Sequence, residues 1–298
     1  MVASPPTVPV AFAAYALGAL MGVAADRGGP RVRQRWPVYL RVQFLATAGL
    51  LTMFSAWRLS TPAEVVAPVL MAGTGGVLVF VSWVTRGDRS AGQSVLEGWA
   101  AFPNGTFWVL PVAGALAGPA ATVVIALANA LYAAPNAVSI HLMRRDAPVA
   151  QRRSTTWVDQ SALVAFVLGL SLHIAGPAPT ASRWVLDASG PLMAFVGAAL
   201  YVGSVLHPHN IAVGRDAAGT RRWSWLCAVR VTLLLALVAV SHTRSIQVVA
   251  ALSALGAPAF NPPQLAVLYG YRSGAVNASA HWGWLLLPFG FALAVWLR

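Results

Sequence analysis

Lysine is absent from this 298-residue chain, so all 20 of its basic residues are arginine, and only eight carboxylates oppose them. One cysteine, Cys227, excludes an internal disulfide and any cysteine-based metal cluster. Charged residues make up 9% of the chain against 58% hydrophobic, and mean hydropathy is +0.67. A soluble core of this size has no use for so much apolar surface. Enzymatic signatures are missing as well. There is no Asp-rich motif for prenyl diphosphates, no paired His and Glu spacing of an intramembrane metalloprotease and no Walker sequence, while His207 and His209 are too few for a metal site. The expectation is therefore a non-enzyme with no cofactor and no bound metal.

What the chain has instead is a succession of apolar runs. A membrane-spanning helix needs about 20 such residues, and the sequence predicts ten spans, at 8–25, 38–57, 63–85, 94–117, 120–142, 158–175, 185–206, 224–242, 246–271 and 276–297. The fold class that follows is an all-α polytopic membrane protein with the lipid bilayer as its partner. The net charge of +12 raises the question of nucleic acid. The arginines, however, lie in short loops between apolar runs, where membrane topology explains them and no nucleic acid is needed. Fourteen of them fall in odd-numbered loops, including Arg31, Arg33, Arg144, Arg145, Arg221 and Arg222, and four in even loops or termini. That bias puts the odd loops in the cytoplasm and both termini outside, as expected of a multi-pass protein of the plasma membrane. Met1 to Pro9 lacks a basic n-region, which fits a first span that starts outside rather than a cleaved signal peptide.

The longest polar connection between the halves follows span five, so the second half enters the membrane from the opposite side. This predicts two inverted five-helix repeats, 1–142 and 158–298, around a cytoplasmic linker at 143–157. Short echoes recur at an offset of about 150 to 160 residues. Leu17-Gly18-Ala19-Leu20 matches Leu168-Gly169-Leu170-Ser171, and Ala101-Phe102-Pro103-Asn104 matches Ala259-Phe260-Asn261-Pro262.

The second echo marks the candidate site. Ala101-Phe102-Pro103-Asn104-Gly105 and Ala259-Phe260-Asn261-Pro262-Pro263 each interrupt the middle of an apolar span. A proline there strips backbone hydrogen bonds where no water replaces them, a fault tolerated only where protein or a wet cavity re-satisfies the groups. Two interrupted spans in corresponding positions of two halves point to the binding site of a secondary transporter. Asn104 and Asn261 offer two donors and an acceptor each without a buried charge, or else they only cap the broken helices. Free N–H groups at one half-helix end favour an anion, and free carbonyls at the other favour a cation. Glu97, two turns before Asn104, is a possible proton site or an interfacial residue at a helix start. Asp159 and Asp187 are expected to cap spans six and seven. Gln43, Asn129, Asn136, His173, Asn277 and His281 are expected to make helix-to-helix hydrogen bonds, and Arg41 and Arg230 to snorkel to the cytoplasmic surface.

Asn104-Gly-Thr-Phe107-Trp-Val-Leu-Pro111 resembles the Asn-x-x-Phe-x-x-x-Pro crossover signature of the auxin efflux carrier family, the group of plant PIN carriers and many bacterial permeases. Asn261-Pro262-Pro263-Gln264-Leu265-Ala266-Val-Leu-Tyr269-Gly270, with Asn277-Ala-Ser279 and Leu287-Pro288, resembles that family's ninth and tenth spans. The resemblance implies a scaffold of spans one, two, six and seven and a mobile unit of spans three to five and eight to ten, moving elevator fashion. It also implies a small organic anion held beside Pro103, Asn104, Gly105, Asn261, Pro262 and Gln264. A sodium symporter of the bile acid type and a non-transporting membrane sensor are the alternatives, and a homodimer remains open.

Overall fold

The computed structural model describes residues 8–29, 35, 42, 49–59, 63–85, 101–103, 105–132, 134–135, 137–139, 141, 161–204, 217–256 and 286–297. Among them the chain is helical and forms no strand. The helices fall where the apolar runs do and are numbered with them. They are α1 Val8–Arg27, α2 Leu50–Trp57, α3 Ala63–Val84, α4 Leu110–Ala117, α5 Pro119–Leu131, α6 Ser161–Ala175, α7 Ala181–Ser204, α8 Ala217–Val240, α9 Arg244–Leu255 and α10 Leu286–Trp296. Two of them, over Val8–Ala25 and Glu64–Val84, are long and apolar enough to cross a membrane, and the other apolar stretches that are described are shorter.

Two of these helices start earlier than the hydropathy predicts. α7 begins at Ala181, directly after Pro177 and Pro179, and α8 begins at Ala217. Helical backbone continues through polar residues such as Arg183 and Arg222, which an apolar-run criterion excludes. One consequence corrects an expectation. Asp187 lies seven residues into α7 and is no cap; it sits over Arg183, with 3.9 Å between the charged groups, beside the α4–α5 turn at Gly118 and Pro119.

The burial pattern sorts the helices into an inner and an outer set. α4, α5 and α9 are buried almost all round, with Ala121 to Ala128 and Val248 to Ala254 nearly inaccessible. α1 and α6 instead turn apolar side chains outward, Leu20 being 67% and Ile174 86% exposed. The most extensive packing is α1 against α7, followed by α2 against α6. Both depend on a glycine. A Cβ on Gly18 would lie 2.1 Å from the Phe195 carbonyl oxygen, and one on Gly169 would lie 2.4 Å from that of Met53, so each pair of backbones meets at a distance only glycine permits. The α2–α6 seam is closed by two hydrogen bonds, Trp57 Nε1 to the Gly176 carbonyl at 2.9 Å and His173 Nδ1 with the Trp57 carbonyl at 3.0 Å. His173 thus joins two helices, as expected. A second group packs α3 on α5 and α8, α8 on α9, and α9 on α4 and α5.

Candidate functional site

The fourth apolar run is interrupted at the proline. Backbone is helical at Ala101, bends at Phe102 and is extended at Pro103. The Gly105 amide then donates to the Pro103 carbonyl at 2.8 Å, only two residues back, a tight turn and not a helical bond. From Gly105 to Val109 the chain makes one π turn before α4 resumes. Single π turns inside helices are rare and concentrate at functional sites.

Two carbonyls around the break are met from other helices. Pro111 has no N–H to give the Phe107 carbonyl four residues earlier. The Tyr15 hydroxyl of α1 donates to that oxygen instead. At the break, the Phe102 carbonyl accepts from Arg230 Nη1 of α8 at 3.0 Å. Arg230 is 1% exposed and, among the described residues, is the largest of the fully buried side chains. This overturns the expectation that it snorkels. The guanidinium thus sits at a helix end whose carbonyls carry partial negative charge. Phe102 itself is 2% exposed and its ring meets Tyr132 edge-on, with centroids 5.4 Å apart.

Of the residues expected to bind substrate, Pro103 and Gly105 are described, and both are buried. Gly105 packs so tightly on α5 that a Cβ would fall 2.0 Å from Asn129 Oδ1. The Asn129 amide donates across to Thr106 Oγ1 at 3.2 Å, the helix-to-helix bond expected of it. Asn104, Asn261, Pro262, Gln264 and Glu97 lie outside the described residues, as does the second break.

The π turn does meet the end of α9. α9 runs from Arg244 to Leu255, and a Cβ on Gly256, the next residue, would come within 2.9 Å of the Trp108 ring. α9 also packs along α4. Trp108 Nε1 and, on the last turn of α9, Ser253 Oγ are each buried with no hydrogen bond among the described residues. Buried donors of this kind are few in folded proteins and call for an explanation such as a polar ligand. On the other side of the turn Phe107 fits α7, where its side chain fills the space a Cβ on Gly197 would need. The Phe107 and Pro111 positions of the motif thus serve packing and the carbonyl handed to Tyr15.

Sequence reasoning did not single out Tyr15, Trp108, Ser253 or the role of Arg230. A signal for Tyr15 was present, since a proline four residues after Phe107 guarantees a carbonyl in want of a donor. For Arg230 no local signal existed. A scan against protein-family models and a search of curated proteins both return no match for this chain.

Proposed function

We propose that this chain is a membrane carrier for a small organic anion, driven by membrane potential or a proton gradient, with the anion held where broken span four meets the end of α9. The observation that carries the reading is the buried Arg230 guanidinium on the Phe102 carbonyl at the break. It brings a guanidinium to the interrupted backbone, and two buried donors, Trp108 Nε1 on the π turn and Ser253 Oγ on the last turn of α9, have no hydrogen bond among the described residues. An anion is the ligand such a set of donors favours.

The membrane reading is supported by outward-facing apolar side chains on α1 and α6, which in water would form large exposed patches. Ten spans in two inverted repeats are supported by the packing itself. Exchanging each helix with the one five places on turns the α1–α7 contact into α6–α2, and these are the two most extensive contacts. It also turns Gly18 into Gly169, the two glycines on which those contacts close. α3 with α8 and α4 with α9 map onto themselves. The resemblance to auxin efflux carriers and the elevator mechanism it implies belong to the same proposal, with α1, α2, α6 and α7 as scaffold.

A thermal-shift screen of the purified protein against small carboxylates tests the site, because a ligand that binds the folded state raises its apparent stability. The expected result is a carboxylate-dependent rise that Asn104→Ala removes. A rise unaffected by both Asn104→Ala and Asn261→Ala would place binding elsewhere, and binding without flux in proteoliposomes would favour a sensor.

A further inference from the structure

We propose that α7 carries two seats for Phe107, at Gly197 and at Gly190, and that the π turn steps between them as the protein changes state. The inference rests on the mobile unit of the carrier reading and adds the contact at which that unit stops. In the structure Phe107 occupies the first seat. A Cβ on Gly197 would lie 2.6 Å from the Phe107 Cβ and 2.7 Å from its Cδ1, so the side chain rests on bare α7 backbone. Gly190 is seven residues earlier, which returns it to the same face of the helix, about 10 Å along the axis. Both glycines are buried, as are Leu186, Met193 and Ala194 on that side of α7. Those three carry side chains, so between Leu186 and Gly197 this face is bare at two places.

The second place is loosely filled. A Cβ on Gly190 would stand 3.6 Å from the Pro111 Cα, an ordinary van der Waals distance, and a cleft of about 10 Å³ opens beside it, lined by Gly114, Gly118 and Leu186 among others. The contact with Pro111 therefore does not require a glycine, whereas the contact of Gly197 with Phe107 does. A slide that brings Phe107 to Gly190 carries Pro111 past it towards Leu186. It also breaks the bond from the Tyr15 hydroxyl to the Phe107 carbonyl, because α1 stays packed on α7. That bond is the catch on the first seat. Packed interfaces take discrete arrangements, and steps of whole helical turns past a neighbour are one form such switches take. Pro191 follows Gly190 and gives glycine a local reason as well, since a methyl before a proline is crowded in a helix. The decisive variants therefore involve Phe107.

The test is oxidative cross-linking of the full-length protein in native membranes, with Cys227 changed to alanine. A disulfide needs Cβ atoms about 4 Å apart. Phe107→Cys with Gly197→Cys is expected to cross-link, and Phe107→Cys with Gly190→Cys to cross-link more slowly. Adding Tyr15→Phe should speed the second reaction about 5-fold, the effect of one lost hydrogen bond on the balance of seats. Phe107→Cys with Leu186→Cys, a turn beyond the second seat, should not react. No cross-link to position 190, with or without Tyr15→Phe, would overturn the proposal, and so would equal reaction at 190 and 186, which indicates loose motion without a seat. If the pair with Gly197→Cys fails to fold, the other two pairs decide. In proteoliposomes Gly190→Ala is expected to lower uptake at least ~5-fold by overfilling the second seat, and Phe107→Val to restore part of it. Wild-type uptake in Gly190→Ala, or a loss that Phe107→Val leaves in place, would also overturn the proposal. Cross-linking needs no substrate, so absence of uptake in wild type would count against the carrier reading while the cross-links still read the seats.

Discussion

Replacing Gly18 and Gly169 one at a time by alanine probes the packing symmetry that underlies the two-repeat reading. The added methyl would sit 2.1 Å from the Phe195 carbonyl oxygen in the first case and 2.4 Å from that of Met53 in the second, so α1 and α7, or α2 and α6, must move apart. Overpacking of this kind costs about 1–3 kcal/mol. Alanine returns up to ~1 kcal/mol of helix propensity, which leaves a net loss of up to about 2 kcal/mol. For a chain of this size that is a Tm lower by up to about 3 °C. The internal controls are Gly73→Ala and Gly76→Ala in α3, where a Cβ meets nothing within 4 Å. These should be neutral or raise Tm by roughly 2 °C. Melting in detergent followed by intrinsic tryptophan fluorescence measures all four. If Gly18→Ala and Gly169→Ala melt with or above the controls, the close approach of both helix pairs is wrong, and with it the symmetry argument.

Other consequences follow from single contacts. Tyr15→Phe removes the donor to the Phe107 carbonyl and should lower stability by about 1–2 kcal/mol in chemical or thermal melts, with no effect expected if the bond is not made. Gly105→Ala drives a methyl into the Asn129 amide, and its damage should be partly relieved in the Gly105→Ala, Asn129→Ala double variant, a coupling of about 0.5–3 kcal/mol measurable by a double-mutant cycle. Strict additivity would show that the two residues do not touch. Trp57→Phe, which deletes the bond to the Gly176 carbonyl, should cost about 1 kcal/mol, read as a lower Tm.

The helices were legible because each apolar run is long and carries at most one charged residue or a few near its ends, and the break because proline beside asparagine and glycine has no stable place inside a helix. The apolar runs did not locate the helix starts. Arg183 and Arg222 continue helices that hydropathy alone would begin later, and for that reason Asp187 read as a cap when it is an interior helical residue. Arg230 was not legible for a different reason. On a helix apolar all round, periodicity does not say which side faces inward, so one arginine near a span end is equally compatible with a surface and with a core position. Only the packing of α8 against α3 and α9, with Phe102 in reach, decides it. The glycine echo at Gly18 and Gly169 was visible as letters, but its meaning as two equivalent helix contacts needed the partners Phe195 and Met53.

Proteoliposome uptake of a radiolabelled carboxylate identified by the thermal-shift screen, under an imposed membrane potential, addresses the carrier reading most directly. The account predicts saturable uptake that falls to the level of empty liposomes in both Asn104→Ala and Arg230→Ala. Uptake that persists unchanged in both variants, or firm binding with no uptake at any potential, would contradict it.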